Sequence, residues 1–242
     1  MGGEAGGEGE VEWLRREAAA LGVAVSQEQA RTLARFTDLL QEASRRVNLT
    51  AIRGREEIWV KHHLDSLTVA RLVPAQQQGR AVDVGSGAGF PGIPVAVVRP
   101  LLCVGLVESV RKKASFLRQV AQALGLSNVQ VVEERAEVLG HQPHWREQAR
   151  WVFLRAVGSL AVSLELGAPF AQPGGYVVVM KGPGVQAEWE QGLAHAQRGG
   201  LELAERLELV LPGGLKRVIL VWQRRGPLPA AWPRRPGRWG RP

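Results

Sequence analysis

Two carboxylates and a run of glycines are the residues of this chain whose spacing could do chemistry. Asp83 stands two residues before Gly85 in the run Asp83-Val84-Gly85-Ser86-Gly87-Ala88-Gly89, and Glu108 ends the next apolar run, Leu101 to Val107. Glycines let the backbone take positive φ and approach a ligand closely, and the free amides of a following helix start face the same spot. An acid in the strand just ahead of such a turn disfavours an anionic pyrophosphate and suits a cationic ligand such as a sulfonium or an amine. An acid at the tip of the second strand can accept both hydroxyls of a ribose. Either acid alone passes for an ordinary strand end; together, in this register, they point to a cleft for a positively charged nucleoside.

The elements that must position them follow from pattern. Arg80 to Arg99 reads as strand, glycine turn and helix, the order in which an open parallel sheet presents a nucleotide-like ligand. Strands are expected at 80–84, 101–107, 129–133, 151–155, 175–181, 201–211 and 216–223, and helices at 92–98, 110–124, 143–148, 159–171 and 184–198. This alternation predicts an α/β fold with a doubly wound, seven-stranded, mostly parallel sheet over 80–223. Only LPGGL (211–215) separates the last two strands, too short for a crossover, so they should pair as an antiparallel hairpin. Residues 10–73 read as a small N-terminal helical subdomain, linked to the sheet through PAQQQG (74–79). Its helices are Val11 to Leu21, a second opened by a Ser26/Gln29 capping box and running to Arg46, and Glu56 to Leu72. Residues 1–9 (MGGEAGGEG) are expected to be disordered and 224–242 to form a basic tail.

The formal charge of +8 on 242 residues is unevenly placed. Residues 1–28 hold six Glu against two Arg, whereas the last twenty residues hold six Arg and no acid, with Trp232 and Trp239 interleaved. Basic charge with aromatics suits a polyanion such as RNA; a solubilising tail is the plainer alternative. The single cysteine, Cys103, permits no internal disulfide, no apolar stretch approaches a membrane span, and the N-terminus is acidic, unlike a signal peptide. A reduced, cytosolic protein is expected. No metal is expected either: His62 and His63 would point about 100° apart on a helix, and His141 and His144 have no cysteine partner. Packing of the helical subdomain against the sheet is the expected role of His62, His63 and Asp65.

Further segments carry a resemblance. Asn48-Leu49-Thr50-Ala51, Lys61-His62-His63-Leu64-Asp65-Ser66-Leu67, Phe90-Pro91-Gly92-Ile93-Pro94, Val98-Arg99-Pro100, Lys112-Lys113 with Phe116-Leu117, Arg135-Ala136-Glu137, Arg155-Ala156-Val157 and Lys181-Gly182 occur in this order. From roughly Leu39 to Arg235 the chain resembles the glucose-inhibited division protein B family, and PRRPG (233–237) is similar to that family's tail. The resemblance implies a class I, Rossmann-like methyltransferase that uses S-adenosylmethionine. It further implies methylation of N7 of one guanosine of 16S ribosomal RNA, in a loop near the decoding centre, with 16S RNA or the small ribosomal subunit as partner. Nothing in the sequence demands more than a monomer.

The chemistry that is missing agrees with this. Methylating C5 of a pyrimidine requires a cysteine nucleophile, and Cys103 sits in a strand expected to be buried. An exocyclic base amine generally calls for an Asn/Asp-Pro-Pro-aromatic loop after the fourth strand, where this chain reads FLRAVGS. Guanine N7 has an in-plane lone pair and no proton to lose, so it needs placement against the methyl group and no general base.

The resemblance assigns roles to the cofactor residues. Gly85, Ser86, Gly87 and Gly89 would shape the loop, Asp83 would lie near the methionine end, and Phe90 would contact the cofactor and shield the methyl group. Glu108 would hold the ribose, Ser109 and Val110 would lie beside the adenosine, and Ala136 and Glu137 would meet the adenine edge. Arg155, ending the fourth strand, would face the transfer site and hold the cofactor carboxylate or a substrate phosphate. Lys181, ending the fifth, is either a strand-end cap or a second RNA-positioning residue at that site. Arg111, Lys112 and Lys113, with Arg217, Arg234 and Arg235, complete the residues expected to meet RNA. One departure concerns the last strand: the family opens it with an Arg-His pair, whereas here Lys216-Arg217-Val218 lacks the histidine. The competing hypotheses are a same-fold methyltransferase acting on a small molecule or protein, a nicotinamide-dependent oxidoreductase, and a non-catalytic RNA-binding factor.

Overall fold

The computed structural model describes residues 4–235. Its seven strands are β1 (Gly79–Val84), β2 (Leu102–Val107), β3 (Val129–Val132), β4 (Ala149–Arg155), β5 (Ala171–Lys181), β6 (Leu201–Leu211) and β7 (Leu215–Arg224). They form one sheet in the order β3-β2-β1-β4-β5-β7-β6, parallel except for β7, which runs antiparallel to both neighbours. β1 is buried on both faces because helices cover both: Ala81, Val82, Asp83 and Val84 are all buried. The strand order reverses between β1 and β4, which opens a crevice at the carboxyl ends of the strands.

Before the sheet come α1 (Glu4–Ala20), α2 (Gln27–Ser44), α3 (Arg55–Ile58), a π-helical turn (Trp59–Leu64) and α4 (Asp65–Ala70). Between and after the strands lie α5 (Gly92–Val98), α6 (Arg111–Ala123), α7 (Ala136–Leu139), α8 (Leu160–Gly167) and α9 (Trp189–Arg198). The capping box forms as expected: Gln29 N donates to Ser26 Oγ at 3.1 Å and Ser26 N donates to Gln29 Oε1 at 2.9 Å. The apolar stripe of α2 (Leu33, Phe36, Leu40) is buried in one core with Leu14, Trp59, Ile93 and Leu117, so the N-terminal helices cover the same sheet face as α5 and α6. A second core with α8 and α9 fills the opposite face.

Several expectations are corrected. The stretch expected to be disordered is helical from Glu4 onward, continuous with the turns whose Val11, Leu14 and Ala18 are buried; residues 1–3 lie outside the described residues. No helix forms over 143–148: Pro143 removes an amide donor, Glu147 takes φ 61°, and the short helix lies at α7 instead. The third N-terminal helix is broken in register by the π-turn. Cys103 is exposed, near the start of β2 and far from the carboxyl end of the sheet. The tail is docked as far as Arg235. Trp232 is buried in the second core, Arg146 Nη1 donates to its carbonyl at 2.6 Å, and Arg234 makes a bidentate pair with fully buried Glu165 at 2.8 Å. Trp239 lies outside the described residues.

Candidate active site

A cleft of about 440 Å³ opens at the switch point, lined by Val84 ending β1, Gly85 of the glycine turn, Glu108 and Ser109 beyond β2, Ala136 and Glu137 of α7, and Val157 and Gly158 beyond β4. Positive φ is required where the turn meets the cleft, at Gly85 (73°) and Gly87 (58°). A Cβ on Gly85 would come within 3.0 Å of Val157 Cγ2, so any larger residue fills the approach. The turn is tied to β2: Gly85 N and Ser86 N both donate to Val107 O, at 2.9 and 3.0 Å. Ser86 is buried, its hydroxyl donating to Asp83 O at 2.9 Å. Gly89 faces inward, where Ile93, Leu117 and Phe36 leave no room for a Cβ.

Glu108 organises the floor. Its Oε2 accepts from Gly87 N at 2.9 Å and its Oε1 from Val110 N at 2.7 Å, which fixes the carboxylate and leaves each oxygen a second lone pair for a ribose hydroxyl. Val110 caps α6 and is exposed beside it. Glu137 Oε1 is buried with no hydrogen-bond partner, 3.5 Å from Arg135 Nη1, and so offers an acceptor to a donor entering the cleft.

Asp83 stands behind the turn instead of lining it. It is fully buried, Oδ2 accepts from Gly92 N at 2.9 Å at the start of α5, and Oδ1 has no hydrogen-bond partner. Burial pushes its pKa up to about 7, against the pull of Gly92 N, the Ser86 hydroxyl and the Arg155 charge. It holds the loop against α5.

Phe90, Arg155 and Lys181 each have partners within the protein. Phe90 does not line the cleft: its ring stacks on His62 (centroids 4.4 Å apart) and on Phe36 (4.9 Å), because the N-terminal helices close over that side of the turn. Arg155 is turned to the π-helical segment. Its Nε lies 3.1 Å from Asp65 Oδ2, and its Nη2 donates to Lys61 O at 2.6 Å and to His62 Nδ1 at 3.0 Å. A wider π-turn displaces backbone carbonyls from the regular ladder, and such turns recur at functional sites. Lys181 donates to Gly158 O at 2.6 Å and pairs with Glu188 at 2.9 Å, which holds the loop after β4 against that after β5. Arg217 reaches the same acid as Arg155, with Nε 2.8 Å from Asp65 Oδ1. Asp65 therefore joins α4 to β4 and β7.

His62 accepts from Arg155 at Nδ1, so its Nε2–H donates to Thr50 Oγ1 at 2.9 Å, a neutral tautomer set by its partners. Burial, reinforced by the Arg155 charge, lowers its pKa to about 3; burial likewise lowers that of His63 to about 3. Both pack the subdomain on the sheet, as the sequence suggests. Of the expected RNA-facing residues, Arg111 and Lys112 are exposed at the start of α6 with Lys113 half-buried beside them, Arg235 is exposed, and Arg234 is committed to Glu165. Sequence reasoning missed the cleft wall formed by Val157, Gly158 and Val162. Its available signal was Arg155-Ala156-Val157, where Ala156 takes φ 58°.

A family model described as rRNA small subunit methyltransferase G matches residues 29–208. The ribosomal RNA small subunit methyltransferase G of Pelotomaculum thermopropionicum is 40% identical over 227 residues, covering 93% of this chain and 95% of that protein. The chain belongs to this family. A second member of it, from Deinococcus radiodurans, is 39% identical over 93% of this chain and 89% of its own. Among solved structures, a SAM dependent methyltransferase from Aquifex aeolicus superposes with a TM-score of 0.50 at 20% identity, over 66% of this chain and 89% of that one. M. jannaschii TYW2 in complex with AdoMet gives 0.54 at 17% identity, over 67% and 75%. These two share the fold.

The family's cofactor is S-adenosylmethionine, and the residues present fit it. The glycine turn leaves a cradle that a Cβ would fill, Glu108 presents a fixed carboxylate at the same opening, and Glu137 Oε1 there has no hydrogen-bond partner. Bound there, the cofactor supplies an electrophilic methyl group. Among the described residues no group of three or more His, Cys, Asp or Glu side chains could hold a metal ion, and no helix is long and apolar enough to cross a membrane.

Proposed function

We propose that this enzyme methylates N7 of a guanosine in 16S ribosomal RNA, in the cytoplasm, on the small subunit or its RNA. The observation that carries this is the cleft: a chain of a ribosomal RNA methyltransferase family places Gly85, Glu108 and Glu137 around one opening at the sheet's switch point. Glu108 holds the ribose hydroxyls, Ala136 and Glu137 the adenine edge, and Gly85 with Gly87 the backbone approach. Asp83, beneath the turn, braces it against α5.

The acids near the opening serve to hold and orient. Glu108 is bonded to two backbone amides and Asp83 is buried behind the turn on Gly92 N, so both brace the loops and neither is assigned as a general base. Guanine N7 asks for none, since its lone pair attacks directly and the charge passes to the ring. Arg155, anchored by Asp65, contributes a fixed cation beside the opening and orients the RNA by its field; it is not a mobile phosphate clamp. Lys181 keeps the neighbouring loops in place. The test is transfer of tritiated methyl to small subunits against free metabolites and proteins, followed by mapping of the modified base. Label at guanine N7 of 16S RNA is expected; label only on metabolites or protein overturns the proposal.

A further inference from the structure

A second concavity, about 620 Å³, lies between α2 and α6. Its floor is apolar, formed by Leu39, Ala43 and Val47 on one side and Phe116 and Val120 on the other. Its rims are basic, with Arg46 facing Arg111 and Lys112, and a single acid, Glu42, lines it. The helices run antiparallel, since Arg35 Nη2 in α2 donates at 3.1 Å to the carbonyl of Ala123 at the far end of α6. The C-terminus of α2 therefore meets the start of α6. Arg111 follows Glu108 and Ser109, which line the cofactor cleft, so the groove opens beside that cleft.

Two features separate this surface from an ordinary solvated face. Arg111, Lys112 and Lys113 sit on the first turn of α6, where the helix dipole is positive and cations cost stability. Among the described residues, none of these three side chains, nor Arg45 or Arg46, makes an ion pair or a hydrogen bond. Elsewhere Arg118 pairs with Glu133 and Arg206 with Glu208, and exposed cations without a partner, such as Arg71 and Arg235, stand singly, whereas here five gather at two adjoining helix ends. Concentrated, uncompensated positive charge around an apolar floor matches a polyanion whose uncharged faces are flat.

We propose that this groove binds a single-stranded segment of the substrate RNA, phosphates on Arg46, Arg111 and Lys112 and a base over the floor at Phe116. The proposal rests on the RNA methylation proposed above and supplies its docking surface. Phosphate contacts fix register, and the apolar floor accepts any base, so the groove gives affinity and leaves the choice of base to the cleft.

The experiment uses the full chain with Arg46→Glu and Lys112→Glu, singly and combined, neither of which lines the cofactor cleft. Binding of a fluorescein-labelled RNA hairpin with a single-stranded loop is measured across a salt series, with S-adenosylhomocysteine calorimetry as the check on folding. The double variant is expected to bind the hairpin at least tenfold more weakly, with a salt slope smaller by about 1.4, the loss of two single-strand phosphate contacts. Unchanged affinity and slope overturn the proposal. So does wild-type affinity for bare RNA combined with lost methylation of assembled subunits, which would assign the groove to a subunit protein. If the wild type transfers no methyl to RNA while the variants still lose RNA affinity, the groove stands and the proposed reaction falls.

Discussion

Replacing Asp65 by asparagine tests the junction on which the site's geometry depends. The Asp65 side chain is 1% exposed and lies between Arg155 and Arg217, whose side chains are 17% and 20% exposed. Asparagine keeps the shape and one acceptor, but it removes the charge and turns an amide donor toward one of the two guanidinium groups. Removing one partner of a buried ion pair costs about 3–5 kcal/mol; with both arginines partly reached by water the lower end applies, about 3 kcal/mol. That is roughly a hundredfold in the unfolding equilibrium, and for a chain of this size a fall in Tm of about 6–12 °C. The assay is urea unfolding followed by tryptophan fluorescence, for Asp65→Asn, Arg217→Met and the double variant. If the three groups act as a unit, the double variant loses at least about 1 kcal/mol less than the sum of the singles. An Asp65→Asn protein within about 0.5 kcal/mol of wild type, the range of an ordinary surface change, or strict additivity, would refute the role given to this acid.

Three further outcomes are expected. Gly85→Val combines a disfavoured φ of 73° with a clash at Val157 and abolishes binding of S-adenosylhomocysteine by calorimetry; unchanged affinity would move the cofactor elsewhere. Glu108→Gln sets an amide donor against Gly87 N or Val110 N and lowers cofactor affinity at least tenfold with the fold retained; wild-type affinity would remove Glu108 from the ribose. Stability should also rise with pH across the acid range. His62 and His63, held neutral with pKa about 3 against an ordinary 6.5, contribute fully above 6.5 and lose that contribution as pH falls toward 3. Asp83, held protonated up to about 7 against an ordinary 3.8, opposes them, its contribution present below 3.8 and lost as pH rises to 7. Two histidines outweigh one carboxyl, and His195, also lowered by burial, acts in the same direction, so the net slope is positive between 3.8 and 6.5. Urea midpoints that fall with rising pH over that window would contradict it, and Asp83→Asn should steepen the rise.

The sequence by itself determined whatever depends on neighbours along the chain. A central parallel strand must be apolar on both faces, so β1 and β2 stood out, and a glycine turn must follow where φ turns positive. Ser26 and Gln29 sit three residues apart, the spacing that closes a capping box within one helical turn. The two acids at the strand tips were legible for the same reason, since strand ends and register can be counted. What only the tertiary structure decided are the partners of charged and aromatic side chains. Arg155, read as facing the transfer site, is held by residues ninety or more positions away, and Arg217 meets Asp65 across 152. Phe90, one residue past the last turn glycine, belongs to the N-terminal helices because α2 and the π-turn fold over it. Residues 224–242 read as a basic tail suited to a polyanion or to solubility, yet Trp232 finds a pocket and Arg234 a buried acid. Backbone periodicity is a local property with few solutions, whereas a guanidinium or an indole takes whichever acid or cavity the completed fold brings within reach.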